Sequence, residues 1–217
     1  MKTLDYDKEN VRLDKLLAFE NEYYSQGANF IAGVDEVGRG PLAGPVLACA
    51  VILPRGLRIE GINDSKQLTE KKRESLAKII QESAIAVSIG IADVKTIDNI
   101  NILQATIKAM TDAVNGLNVR PDVVLIDALT LPKVKARQRA VIKGDSLSAT
   151  IAAASIVAKV TRDNMMKGYH EIYPEYGFDQ HKGYGTEKHI EAIRAYGLCP
   201  IHRRSFSAKF ADSIYIP

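Results

Sequence analysis

The chain has 217 residues, 46% hydrophobic and 25% charged, the make-up of an ordinary globular protein large enough for a substantial core, with one main domain as the simplest organisation. A net charge of +3 and a pI near 8.7 permit a polyanionic partner without demanding one. Its two cysteines form neither a metal-binding spacing nor a disulfide framework, no apolar run approaches the ~20 residues of a membrane span, and the N-terminus lacks the apolar core of a signal peptide. A reducing, cytoplasmic setting is the expectation.

Lys8 to Tyr24 reads as a helix, with Val11, Leu13, Leu16, Leu17 and Phe19 among charges and Gly27 closing it; residues 1–29 are expected to be an N-terminal packing extension. Next comes the most informative stretch, Phe30 to Val46, FIAGVDEVGRGPLAGPV. An apolar run delivers Asp35 and Glu36, the chain turns through Gly38, Arg39, Gly40 and Pro41, and a second apolar run follows from Val46 to Leu53. The connection is too short for a helical crossover, so a hairpin of two buried strands is expected. Adjacent strand residues point to opposite faces, so both acids reach one site only at a bulge or a strand end. Taken alone, the acid pair is equally consistent with a strand that merely ends in polar residues.

Pro54 to Asn63 is expected to be a loop, and Thr69 to cap a helix from Glu70 to Glu82. Leu76, Ile79 and Ile80 would form that helix's inner face, with Lys71, Lys72 and Arg73 in water. Ala84 to Ile91 reads as a third strand. From Asp98 to Val114 the recurrence of Leu103, Ile107, Met110 and Val114 predicts a helix ended by Gly116. Asp122 to Ile126 is apolar enough for a strand covered on both faces, and it delivers a third acid, Asp127. Gln138 to Lys143 predicts a short fifth strand, followed by Asp145. Ser148 or Thr150 then starts an alanine-rich helix reaching about Tyr169. Tyr173 to Gly185 is expected to be a loop, Thr186 to cap a last helix stopped by Gly197, and the tail from Cys199 to Pro217 carries the basic run His202, Arg203, Arg204.

Four acids thus fall at strand ends: Asp35, Glu36, Asp127 and Asp145. A semi-buried acidic cluster needs a proton or a cation, and hard oxygen ligands with open water positions are what two-metal phosphodiester chemistry requires. Gly38, Gly40 and Ala43 also satisfy a dinucleotide fingerprint, but that motif must open a helix, whereas here a β-like run follows.

The segments GVDEVGRGPLAGPV, DSK at 64–66, LIDA around Asp127, KGD at 143–145, SATIAAASIVAKVTRD through Asp163 and HKGYGT at 181–186 together closely resemble the type 2 ribonucleases H, the bacterial ribonuclease HII family, from about Phe30 to Phe206. The resemblance implies an α/β ribonuclease H-like fold over 30–217. Its core would be a mixed five-stranded sheet, three antiparallel strands first, flanked by helices, with a C-terminal helical part from about 165. It also implies an endonuclease that cuts RNA in RNA/DNA hybrids, and on the 5′ side of single ribonucleotides in duplex DNA, leaving 3′-hydroxyl and 5′-phosphate ends with Mn²⁺ or Mg²⁺. Asp35, Glu36, Asp127 and Asp145 match the family's metal-binding acids; Gly38, Arg39 and Gly40 match its turn that reads the 2′-hydroxyl, and Tyr184 its tyrosine at the RNA-to-DNA junction. Lys66 and Ser148 are further candidates for substrate contact, and Lys143, Lys159 and Lys182 for phosphate contact. No histidine has a metal-ligand spacing. A monomer is expected, and the rival class is a non-catalytic RNA/DNA hybrid-binding module whose acids are structural.

Overall fold

A computed structural model describes residues 2–211, with side chains for 7–210. The N-terminal segment is two helices rather than one, α1 (Lys2–Leu16) and α2 (Ala18–Ser25), broken at Leu17. That break turns Leu13, Leu16 and Leu17 into one core cluster and Tyr23 and Tyr24 into another, while Val11 is 55% exposed and belongs to neither.

The hairpin forms as expected. Strand β1 (Ile31–Val37) pairs antiparallel with β2 (Val46–Ile52), and β2 pairs antiparallel with β3 (Ala86–Ala92). On the other side of β1, β4 (Val123–Asp127) and β5 (Arg137–Val141) add in parallel, giving the order β3-β2-β1-β4-β5. All seven residues of β2 are buried, and the strand's alternation serves two layers. Leu47, Cys49 and Val51 pack with α3 (Glu70–Ser83) and α5 (Ala149–Ile172), whereas Val46, Ala48, Ala50 and Ile52 pack with α4 (Val94–Asn115). Each fully buried Val, Leu or Ile contributes about 1.5–3 kcal/mol. The alanine-rich helix lies directly on β1: a Cβ on Gly33 would sit 2.1 Å from the Thr150 carbonyl carbon, so this contact requires glycine.

Several local expectations are corrected. The inner face of α3 is Leu76, Ala77 and Ile80, with Ile79 42% exposed, and Arg73 is not simply solvated. Its guanidinium donates to the carbonyls of Ser65 and Leu68, at 2.6 and 2.7 Å, and so ties down the loop before the helix. Helix α4 begins earlier than expected, capped by Asp93, and is interrupted at Asn101, whose side chain accepts from the Gln104 amide at 3.1 Å and starts the second part. Leu103 is 41% exposed, and Ala105, Ala109 and Met110 form the buried face. Residues 173–185 are not all loop but contain a 3₁₀ turn, Pro174–Tyr176, and the short α6 (Phe178–His181). Thr186 and Gly197 bound α7 (Glu187–Tyr196) as expected, yet a further helix follows, α8 (Arg204–Ala211), capped by Asp98 through the amides of Arg204 and Ser205. Residues 212–217 of the basic tail lie outside the described residues. His202 and Arg203, taken from sequence as part of that tail, are 3% and 0% exposed.

Candidate active site

Alternation sends Asp35 to the α5 face and Glu36 to the α4 face, since their partners on β2 are Cys49 and Ala48. No bulge re-aims them. The β1–β4 pairing instead ends at Val34 and Ile126, and one further step of that register sets Asp127 beside Asp35. At this strand end the longer Glu36 side chain swings in, and Asp35, Glu36 and Asp127 each offer an oxygen within 4.8 Å of the others. Asp145 stands next to this trio rather than within it. It sits in the 3₁₀ turn Gly144–Ser146, whose Gly144 amide donates to Asp127 at 2.7 Å, and its own carboxylate accepts from Lys66 at 3.4 Å.

Burial pushes Asp35 well above the ordinary carboxylate range, reinforced by the charges of Glu36 and Asp127 and opposed by hydrogen bonds from the Ser155 hydroxyl and the Glu36 amide. Burial also raises Glu36, with Arg39 opposing from 3.5 Å and Asp127 adding. For Asp145, burial and then Asp64 raise the pKa, Lys66 opposes, and Asp127 raises it further. Carboxylates at this spacing repel by about 3–4 kcal/mol per pair at an effective dielectric near 20. A divalent cation is the counter-charge that matches three converging hard oxygen donors, and so few protein ligands leave positions for water and substrate. The residues present therefore fit a divalent metal.

Around the acids lies a cleft of about 240 Å³, bordered by Gly38, Arg39, Gly40, Ser65, Lys66, Lys159 and Tyr184. Larger depressions, of about 530 and 570 Å³, lie elsewhere, away from the acids. Tyr184 is 44% exposed, and its ring edge lies 3.8 Å from where a Cβ on Gly40 would be. Gly38 has φ +91°, and a Cβ there would meet the Arg162 Nε at 2.2 Å, so the turn closes only with glycine.

Ser148 must be withdrawn from the substrate contacts. It is fully buried, caps α5, donates to Glu20 at 2.7 Å and is not among the residues that border the cleft. Lys66 borders the cleft with its side chain 77% exposed. Lys159 is held by Asp163 at 2.6 Å in an ion pair one turn apart on α5. Lys143 and Lys182 take left-handed backbone conformations, with φ 57° and 53°. Sequence reasoning missed Ser65 and Ser155, whose hydroxyls meet at 2.9 Å beneath Asp35, and also the buried guanidinium groups of Arg162 and Arg203 behind the turn. For Ser155 the small-residue face of α5 was the available signal; Arg203 carried none, since a basic run reads as solvated.

Residues 32–209 match the family model described as Ribonuclease HII. A Ribonuclease HII of Ruminiclostridium cellulolyticum is 56% identical over 207 residues, 95% of this chain and 81% of that protein. Another, from Chlamydia caviae, is 54% identical over 208 residues, 95% of this chain and 97% of that one. Among solved structures, the ribonuclease H2 of Pyrococcus horikoshii superposes with a TM-score of 0.72 at 29% identity, covering 87% of this chain and 100% of its own.

Proposed function

Because the chain belongs to the ribonuclease HII family, we propose that it cuts the RNA strand of RNA/DNA hybrids, and duplex DNA on the 5′ side of an embedded ribonucleotide, by two-metal-ion hydrolysis. Endonucleolytic hydrolysis of RNA in such hybrids is the family's activity; the incision site, the 3′-hydroxyl and 5′-phosphate ends and the use of two ions are the finer parts of the reading. The observation that carries it is the convergence of Asp35, Glu36 and Asp127 at one strand end, beside a glycine turn and an exposed tyrosine.

Asp35, Glu36, Asp127 and Asp145 would hold the ions, either Mn²⁺ or Mg²⁺. When bound, such ions supply Lewis-acid activation of water and neutralise charge on the departing oxygen. The chain's own residues do the selecting. Arg39 and Gly40 border the cleft, and their main-chain donors would hydrogen-bond a 2′-hydroxyl, the one group that marks RNA. A deoxyribose leaves those donors unpaired, which penalises DNA beyond the loss of a contact. Tyr184, beside Gly40, offers a platform for a sugar or base at the junction. Lys66 and Lys159 border the same cleft as cations for phosphate oxygens. The chain is expected to act as a monomer, and among the described residues no helix is long and apolar enough to cross a membrane.

The test is a duplex carrying one ribonucleotide, offered with Mn²⁺, Mg²⁺ or chelator to the wild type and to Asp127→Asn. Metal-dependent cutting 5′ of the ribonucleotide by the wild type alone supports the reading. Salt-sensitive binding without product under every condition would place the chain among hybrid-binding modules instead.

A further inference from the structure

Two fully buried arginines stand behind the turn, and among the described residues neither forms an ion pair with a carboxylate. Arg162 donates to the carbonyls of Pro45 at 3.0 Å, Lys182 at 2.9 Å and Ala43 at 3.1 Å. Arg203 donates to Gly44 at 2.9 Å, to Arg39 at 2.8 Å and to Gly38. A guanidinium is a rigid planar fork, so three carbonyls on one fork fix the planes of three peptides at once. In a trans peptide the N–H points opposite the preceding carbonyl. Drawing the Gly38 and Arg39 carbonyls inward to Arg203 therefore turns the amides of Arg39 and Gly40 away from it, and among the described residues neither amide has a hydrogen-bond partner.

The neighbouring residue reaches Tyr184. His202 accepts from the Cys199 amide at Nδ1, 2.9 Å, and so carries its proton on Nε2. That Nε2–H donates to His189 Nε2 at 3.0 Å, which leaves the His189 proton on Nδ1, donating to the Tyr184 carbonyl at 2.9 Å. Both imidazoles are buried, and burial pulls each down to about 4, so this neutral tautomer chain persists at neutral pH. One short segment thus grips both elements that border the cleft beside the acids.

We propose that the segment Cys199–Arg203, buried at Ile201, His202 and Arg203, is a positioning brace: Arg203 aims the Arg39 and Gly40 amides at the substrate ribose, and His202, through His189, holds the Tyr184 loop in register with them. The idea rests on the reading that this turn selects the 2′-hydroxyl. It assigns the brace no part in metal binding or in the hydrolytic step.

Arg203→Lys keeps the charge but loses the fork. Its melting temperature, its Mn²⁺ affinity and its kcat and KM are measured on duplexes bearing one ribonucleotide or one 2′-fluoro nucleotide. The folded variant is expected to keep wild-type Mn²⁺ affinity, to lose roughly 10- to 100-fold in kcat on the ribonucleotide, and to show a ribose-to-fluoro preference at least ~10-fold smaller than the wild type's. A folded Arg203→Lys with unchanged kcat and unchanged preference overturns the brace while leaving the turn as ribose reader. Equal cutting of the two duplexes by the wild type overturns the ribose reading, and the brace with it. If Arg203→Lys does not fold, His202→Asn decides. That substitution keeps an acceptor for Cys199 but breaks the link to His189, and a fall in kcat at constant Mn²⁺ affinity supports the brace, whereas wild-type kcat overturns it.

Discussion

Replacing Asp35 by Asn is expected to stabilise the metal-free protein at neutral pH, although it removes a central metal ligand. The Asp35 side chain is 4% exposed and has an oxygen within 4.8 Å of oxygens on both Glu36 and Asp127. Each such pair repels by about 3–4 kcal/mol at an effective dielectric near 20, and partial protonation of Asp35 relieves some of that. Because its pKa is raised in the fold, the native state keeps a proton that the unfolded chain releases. Stability from this group is therefore greatest below the unfolded value of about 4. It is lost as pH rises through the raised folded value. Asn carries no charge and keeps an oxygen for the Glu36 amide, 2.8 Å away. A net gain of about 1–3 kcal/mol corresponds to roughly 3–10 °C for a chain of this size. Thermal melts in chelator at about pH 4.5 and about pH 7.5 read the effect, small at the lower pH and larger at the higher. Mn²⁺ should reverse the order, because the wild type gains more from a bound ion. A variant that melts below the wild type in chelator at neutral pH, or a difference indifferent to pH, refutes the reasoning.

Other consequences can be measured separately. Gly38→Ala places a Cβ 2.2 Å from Arg162 at a left-handed backbone position, so a loss of about 1–3 kcal/mol in a urea melt is expected. Gly40→Ala meets nothing nearer than Tyr184 at 3.8 Å, so its melt should match the wild type while kcat/KM on a hybrid falls about tenfold, the methyl intruding between turn and tyrosine. Glu20→Ala strands the Ser148 hydroxyl and the Thr150 amide and hydroxyl, which cluster on one carboxylate oxygen at 2.7–2.9 Å; about 2–3 kcal/mol of stability should go, with Mn²⁺ affinity intact by calorimetry. Burial pushes the Cys199 thiol up to about 11 and Cys49 higher still, so intact-mass analysis after iodoacetamide near neutral pH should find the native protein modified far more slowly than the denatured chain.

Much of this architecture was legible in the sequence because its signals are local. Short apolar runs, the turn too brief for a crossover, Thr69 and Thr186 as caps and Gly116 and Gly197 as stops each act within a few residues. What escaped depends on distant partners. Leu17 breaks the first helix to serve two clusters, and Ile79 yields its place on α3 to Ala77. Arg203 looks like any basic residue until its backbone, paired through His202 with Ala43, carries it under the turn. Ser148 failed as a substrate contact for the same reason: its partner, Glu20, lies 128 residues earlier in the chain. The acids were found as residues; how Asp35 and Glu36 share a site despite opposite faces required knowing where the β1–β4 pairing stops.

Anomalous diffraction from crystals soaked in Mn²⁺ with an uncut ribonucleotide duplex tests directly whether these carboxylates hold divalent ions together. Peaks within coordination distance, ~2.1 Å, of Asp35 and of Glu36, Asp127 or Asp145 are the predicted result. Mn²⁺ found only elsewhere, with the four acids bare beside a bound substrate, would contradict it.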